Sequence, residues 1–262
     1  MGKRKACLLV MLILALVFSL SGCKKVYTRK DMIEYAEQTL ENKYGEEFQV
    51  RGDVFNVRDT AFQVNVSPVN NPEIVFEAGY NVAGSEASHD FYIEALVASQ
   101  YKELAEKELE ELSCDYYLQV KIHWDKREKP ITDTNITIEE FNDITEEMFQ
   151  KPDYFLYFSK DILKESDEYI YEIVLSIMEI REGWLDIYIL NNKDMESVET
   201  EFNERYELDG STKTYIYEQY ASEVDGGKKG YVCFLGGEQK EKLSYEEFTK
   251  KMEEIRGDVK QW

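Results

Sequence analysis

The sequence predicts an α+β fold, in which mixed or antiparallel sheets carry packed helices. Two observations point there. Apolar residues recur at i, i+3, i+4 spacing in some segments and at every second residue in others, and Gly, Pro and polar turns separate the two kinds. With 43% hydrophobic and 13% aromatic residues in 262, the chain has enough apolar side chain for a sizeable core, and it contains no low-complexity tract. The elements order into two small units: α-β-β-β-α-β over residues 28–125 and α-β-α-β-α-β-β-α over residues 137–262, joined by a linker at 126–136.

The first unit opens at Thr28, a helix cap followed by Ile33, Ala36, Leu40 and Tyr44 on one face and stopped by Gly45. Strands follow at residues 48–57, 61–66 and 73–80. In the second of these, Phe62, Val64 and Val66 alternate with Gln63 and Asn65, the period of a half-buried strand. A long helix capped by Ser88 then carries Ile93, Leu96, Val97, Tyr101, Leu104, Ala105, Leu109 and Leu112 as its stripe. Residues 115–124 return as a strand, and the polar, aperiodic stretch around Pro130 forms the linker.

The second unit starts at Thr137, with Phe141, Ile144 and Met148 on one helix face, and continues with a short aromatic strand at 154–158. Ser166 caps a helix bearing Ile170, Ile173, Val174 and Ile177, and the apolar run 185–190 reads as a strand covered on both faces. Strand, helix, strand in that order predicts a parallel pair. Met195, Val198, Phe202 and Tyr206 mark a further helix, residues 214–220 and 231–235 a hairpin around Gly226-Gly227, and Phe248, Met252 and Ile255 the closing helix.

Ahead of the first cap, Lys3, Arg4 and Lys5 precede an apolar run from Ala6 to Leu20, the layout of an export signal. Fifteen residues reach about 22 Å as a helix, short of the roughly 30 Å hydrocarbon core, so export and cleavage fit better than a span. The junction Leu20-Ser21-Gly22-Cys23 resembles the lipobox of bacterial lipoproteins. That resemblance, confined to residues 1–23, implies cleavage between Gly22 and Cys23, a diacylglyceryl group on the Cys23 thiol and acylation of the new amino group. Residues 1–22 are then a signal peptide and 23–27 a lipidated tether whose reach is at most about 18 Å. Two or more acyl chains suffice for stable anchoring. The expected location is the extracytoplasmic side of a cell membrane, with Lys24, Lys25, Arg29 and Lys30 as candidate headgroup contacts or ordinary solvated cations.

The whole chain carries 31 Lys+Arg against 53 Asp+Glu, and loss of residues 1–22 removes three positive and no negative charges, leaving a formal −25. An acidic body of that kind excludes nucleic acid as a partner, because such binding needs a basic surface that displaces counterions.

Catalytic and metal motifs are sparse. Thr137 with Glu140 and Ser244 with Glu247 look like the ends of calcium loops, yet the oxygen ligands and glycine such a loop needs earlier are missing, so both are capping boxes. Ser85, Ser88, His89 and Asp90 lie together in one short stretch without a nucleophile elbow, and neighbours in a loop do not line up as a triad. His123 and Asp125 share a strand face, and the chain holds two histidines in all, too few for an expected zinc or iron site. Gly226 to Gly230 lacks phosphate-loop spacing. No metal and no cofactor are expected. Cys114 and Cys233 lie in apolar runs suited to buried thiols, and outside the cytosol they are also open to pairing. The aromatic strands around Tyr116-Tyr117, 154–158 and Tyr215 to Tyr217 place rings on both faces, for packing or for contact with a sugar or peptide. The sequence thus reads as a membrane-anchored, non-catalytic binding or accessory module with an unidentified envelope partner; the alternatives are an envelope hydrolase with paired carboxylates or a solute-binding component.

Overall fold

Thr28 starts the first helix, α1 (Arg29–Tyr44), through a reciprocal cap: its Oγ1 accepts from the Asp31 N–H at 3.2 Å and its own N–H donates to Asp31 Oδ2 at 2.8 Å. Gly45 ends it at φ 76°, a left-handed conformation, and donates to the Glu41 carbonyl at 2.8 Å. The computed structural model of the chain describes residues 27–58, 61–81, 87–122, 131–145, 152–180, 183–190, 195, 231–235 and 243–259. Among these residues no helix is long and apolar enough to cross a membrane.

The fold is α+β, with two four-stranded sheets among the described residues. The first is antiparallel in the order β1-β2-β3-β4, from β1 (Phe48–Arg58), β2 (Ala61–Pro68), β3 (Phe76–Asn81) and β4 (Ala87–Asp90). The register of β1 slips between Arg51 and Phe55, around Gly52 at φ 73°. Phe62, Val64 and Val66 of β2 enter the core as their alternation predicts, beside Phe48, Phe76 and Tyr80 and under Ala36 and Leu40 of α1. On the opposite face the alternation misleads. Asn65 and Ser67 are also buried, and Asn65 Nδ2 and Ser67 Oγ have no hydrogen-bond partners among the described residues.

Helix α2 (Tyr92–Leu109) joins the two halves. Its first residue, Tyr92, packs in the core of the first sheet, whereas Ile93, Val97, Tyr101, Ala105 and Leu109 belong to the core of the second. The expected cap at Ser88 is corrected: Ala87–Asp90 is strand β4, and the residue before α2 is Phe91, whose side chain makes no capping bond. Four residues are too few for a period to show, so the small-residue stretch reads as a loop.

The second sheet runs β5-β6-β7-β8, from β5 (Tyr116–Lys121), β6 (Asp153–Ser159), β7 (Trp184–Leu190) and β8 (Tyr231–Leu235). Between β6 and β7 lie a short 3-10 helix at Lys160–Lys164 and α4 (Asp167–Ile180), and β6 and β7 pair in parallel as expected for a strand-helix-strand unit. β5 pairs antiparallel with β6, so the boundary between the sheets falls before β5 and not at residues 126–136. Leu118, Leu156, Phe158, Leu185 and Ile187 cover one sheet face, packed by α2, α4 and α5 (Tyr245–Val259) through residues such as Val174, Ile177, Phe248 and Met252. A short helix, α3 (Ile138–Thr145), adds Phe141 to this core.

Both expected capping boxes form. Thr137 Oγ1 accepts from Glu140 N at 3.2 Å before α3, and Ser244 Oγ from Glu247 N at 3.3 Å before α5. Ser166 Oγ likewise accepts from Tyr169 N at 3.2 Å. The expected helix through Phe202 and the strand at 214–220 lie outside the described residues.

Candidate functional site

Lys102 and Ser99, three apart on α2, share the side of that helix that faces a groove between the sheets. The groove has room for about 120 Å³. Its floor is α2, through Ala95, Ala98, Ser99 and Lys102; one wall is residues 73–75, just before β3, and the other is residues 117–120 of β5. The small side chains of Ala95 and Ala98 are what leave the floor low.

The β5 wall presents backbone as well as side chains. Among the described residues β5 ends its sheet, with β6 as its neighbour on one side. Ser159 N–H donates to the Asp115 carbonyl at 2.9 Å, and these residues stand opposite each other one step beyond the Tyr116/Phe158 pair. In an antiparallel ladder hydrogen-bonded and non-bonded pairs alternate, so residues 117, 119 and 121 exchange bonds with β6, while Tyr116, Leu118 and Val120 aim their N–H and C=O groups the other way. Leu118 and Val120 have buried side chains yet line the groove, as this orientation requires. Among the described residues no hydrogen bond crosses to residues 73–75. Gln119 also lines the groove, and among the described residues its buried Oε1 has no hydrogen-bond partner.

Tyr117 connects the groove to an aromatic row across the sheet. It stands opposite Tyr157 with ring centroids 6.3 Å apart, and Tyr157 stacks on Tyr188 at 4.8 Å and 10°. Lys102 Nζ lies 5.8 Å from the Tyr117 centroid and Lys121 Nζ 5.4 Å from that of Phe155, so cationic side chains cover rings at this face. Tyr157 is buried together with Leu190 and Met195. That burial, with Tyr188, Asp186 and Tyr117 nearby, pushes the Tyr157 hydroxyl pKa far up, and it stays neutral at any physiological pH. The aromatic strands therefore divide: Tyr154 and Phe158 are core, Tyr157 is covered, and Tyr117 and Phe155 remain half-buried.

The remaining sequence candidates scatter. Gly22, Cys23, Lys24, Lys25, Ser85, His123, Asp125, Tyr215, Tyr217 and the 226–230 turn lie outside the described residues. Arg29 pairs with Asp53 at 2.5 Å and donates to the Gly52 carbonyl at 3.1 Å; Lys30 is exposed beside it. His89 and Asp90 are neighbours on β4 with separate partners. His89 Nε2 lies 3.3 Å from Glu77 Oε1, while Asp90 accepts from Lys43 and Tyr44, so the pair forms no triad line. Cys114 is a buried free thiol. Among the described residues no cluster of three His, Cys, Asp or Glu side chains is placed to hold a metal ion.

Sequence reading missed the groove itself. Glu73, Ser99, Lys102 and Gln119 come from three distant segments, and no spacing rule joins them.

The comparisons with known proteins bear on the fold alone. No protein-family model matches the chain, and no curated protein matches it. The crystal structure of a DUF5037 family protein from Ruminococcus gnavus superposes with a TM-score of 0.63 at 19% identity, over 85% of this chain and 99% of that one. The likeness supports the α+β architecture and carries no activity with it.

Proposed function

We propose that this chain is a membrane-anchored bacterial lipoprotein, processed at Gly22-Cys23 and lipidated on Cys23, that acts as a non-catalytic binding module at the cell envelope. The observation that carries the anchor is the Leu20-Ser21-Gly22-Cys23 junction, placed five residues before the Thr28 cap. With so short a tether the body works within a few nanometres of the bilayer. Lys24, Lys25 and Lys30 add headgroup attraction, each up to about 1 kcal/mol against an anionic leaflet. Arg29 adds less, since Asp53 already neutralises it.

The groove supports binding over catalysis. Glu73 is the one carboxylate among its lining residues, whereas a paired-carboxylate hydrolase needs two flanking a scissile bond. At about 120 Å³ it is also well below the roughly 300–1,000 Å³ of sites that enclose a drug-sized ligand or cofactor.

The test is Cys23→Ala with fractionation of cells and labelling by a fatty acid. Wild type should sediment with membranes and carry label; the variant should appear unprocessed or released, without label. Normal retention and processing of the variant would sink the proposal.

A further inference from the structure

We propose that the groove beside β5 binds an extended, basic peptide segment of a partner protein by strand addition. The inference deepens the binding-module reading by naming the class of partner.

The geometry of the edge sets the partner's chemistry. Outward N–H and C=O groups at Tyr116, Leu118 and Val120 repeat about every 6.8 Å, the two-residue spacing of a strand, and only another extended backbone offers donors and acceptors at that repeat. Sheet edges of this kind are normally blunted by a charge, a proline, a bulge or a covering element. Here Leu118 and Val120 point into the core, and the side of the edge facing residues 73–75 opens onto a groove. Gln119 supplies an independent observation: its buried Oε1 accepts from no donor among the described residues, and leaving a buried acceptor unpaired costs about 1–3 kcal/mol. A ligand that brings an N–H or a cationic side chain into the groove recovers that cost.

Charge selects among peptides. The lipidated chain carries a formal −25, Glu73 stands on the rim, and Lys102 is held by Glu106 at 3.5 Å and by the Tyr117 ring. A basic segment is drawn to such a body and an acidic one repelled. Ala95 and Ala98 admit small side chains on the floor.

The experiment pans phage-displayed random dodecapeptides on the full chain held in detergent, so it does not depend on where the chain resides in the cell. Lys- or Arg-bearing sequences should be enriched, and a synthetic winner should slow amide exchange at Tyr116, Leu118 and Val120 at least tenfold. Methylating the winner's backbone nitrogens singly should weaken binding at least tenfold at alternate positions and little at those between. Gln119→Leu should lose at least tenfold in affinity with no fall in Tm, and Ser99→Trp, which fills the groove, should abolish binding. No enrichment, unchanged exchange at the three amides, or tolerance of N-methylation at every position overturns the proposal. So does a concentration-dependent dimer that protects the same amides, because the occupant is then a second copy. Failure here leaves the Cys23 anchor standing, and mislocalisation results leave this site standing.

Discussion

Lys43 Nζ sits 2.7 Å from Asp90 Oδ2, joining the last turn of α1 to the end of β4 across 47 residues of sequence. Asp90 is 2% exposed and also accepts from the Tyr44 hydroxyl at 2.5 Å, so a carboxylate deep in the first unit has donors on both oxygens. Nearby, the Tyr92 hydroxyl donates to Glu46 at 2.6 Å and rings 44, 48 and 92 pack edge to face. The stretch that most resembled a catalytic loop is a clasp between α1, β4 and α2.

Removing one partner of a buried pair leaves an uncompensated charge. Lys43→Met should therefore destabilise the protein by about 2 kcal/mol, below the roughly 3–5 kcal/mol of a fully buried pair because Lys43 keeps contact with water. Urea denaturation measures it, with Lys102→Met, whose pair with Glu106 is open to solvent, as the control expected to change stability by less than about 0.5 kcal/mol. Equal effects of the two would refute a structural role for the clasp.

Two glycines should respond differently to alanine. A Cβ on Gly79 meets the His89 ring at 2.2 Å, and a Cβ on Gly183 meets the Pro152 carbonyl oxygen at 2.1 Å. The imidazole can swing away at the expense of its contact with Glu77, while Pro152 is backbone that also accepts the Trp184 N–H at 3.0 Å. Gly79→Ala should cost about 1 kcal/mol and Gly183→Ala about 3 kcal/mol, because only the second moves main chain at the start of the parallel pair. Thermal melts of the two variants give the order, and the reverse order would contradict this account.

Burial raises the Cys114 thiol from its ordinary 9.0 to about 11. In a Cys233→Ser background, iodoacetamide should modify folded Cys114 at pH 8 about a hundredfold more slowly than the unfolded chain, in proportion to the thiolate present. The linked stability has a definite sign. It is fully present below pH 9 and is lost as pH rises toward 11, because the unfolded thiol ionises first. Rapid labelling of the native protein would show the thiol to be exposed.

Arg256 on α5 grips Asp167 at the start of α4 with both terminal nitrogens, at 2.9 and 2.5 Å, and reaches the Glu165 carbonyl at 3.4 Å. Lysine offers a point charge without the planar fork. Arg256→Lys should cost about 1–2 kcal/mol, and a double-mutant cycle with Asp167→Asn should show coupling of at least about 1 kcal/mol. Additive effects would mean the two residues act independently.

Much of the fold is legible in the chain because the signals are local. Thr28, Thr137, Ser166 and Ser244 each bond a backbone group within three residues, so sequence spacing suffices to find them. The β2 alternation and the apolar run of β7 report burial through side chains alone. β4 escaped because Ala87–Asp90 is held as a strand by Ala78, Gly79 and Tyr80 of β3 and carries no period of its own. The burial of Asn65 escaped for a related reason: it lies between Arg51 and Glu77 in register, two residues distant in sequence.

By itself, then, the sequence determined the capped starts of α1, α3, α4 and α5, the α+β class and the parallel β6/β7 unit, each written in spacings of a few residues. The proposed address signal, at Leu20 to Cys23, is likewise expressed in residue identities and needs no fold to be read. Tertiary structure decided which strands share a sheet, placing β5 beside β6, and thereby which edge was left open toward residues 73–75. A groove made from residues 73–75, 95–102 and 117–120 depends on packing between segments tens of residues apart, and no local free-energy term in the sequence specifies that meeting.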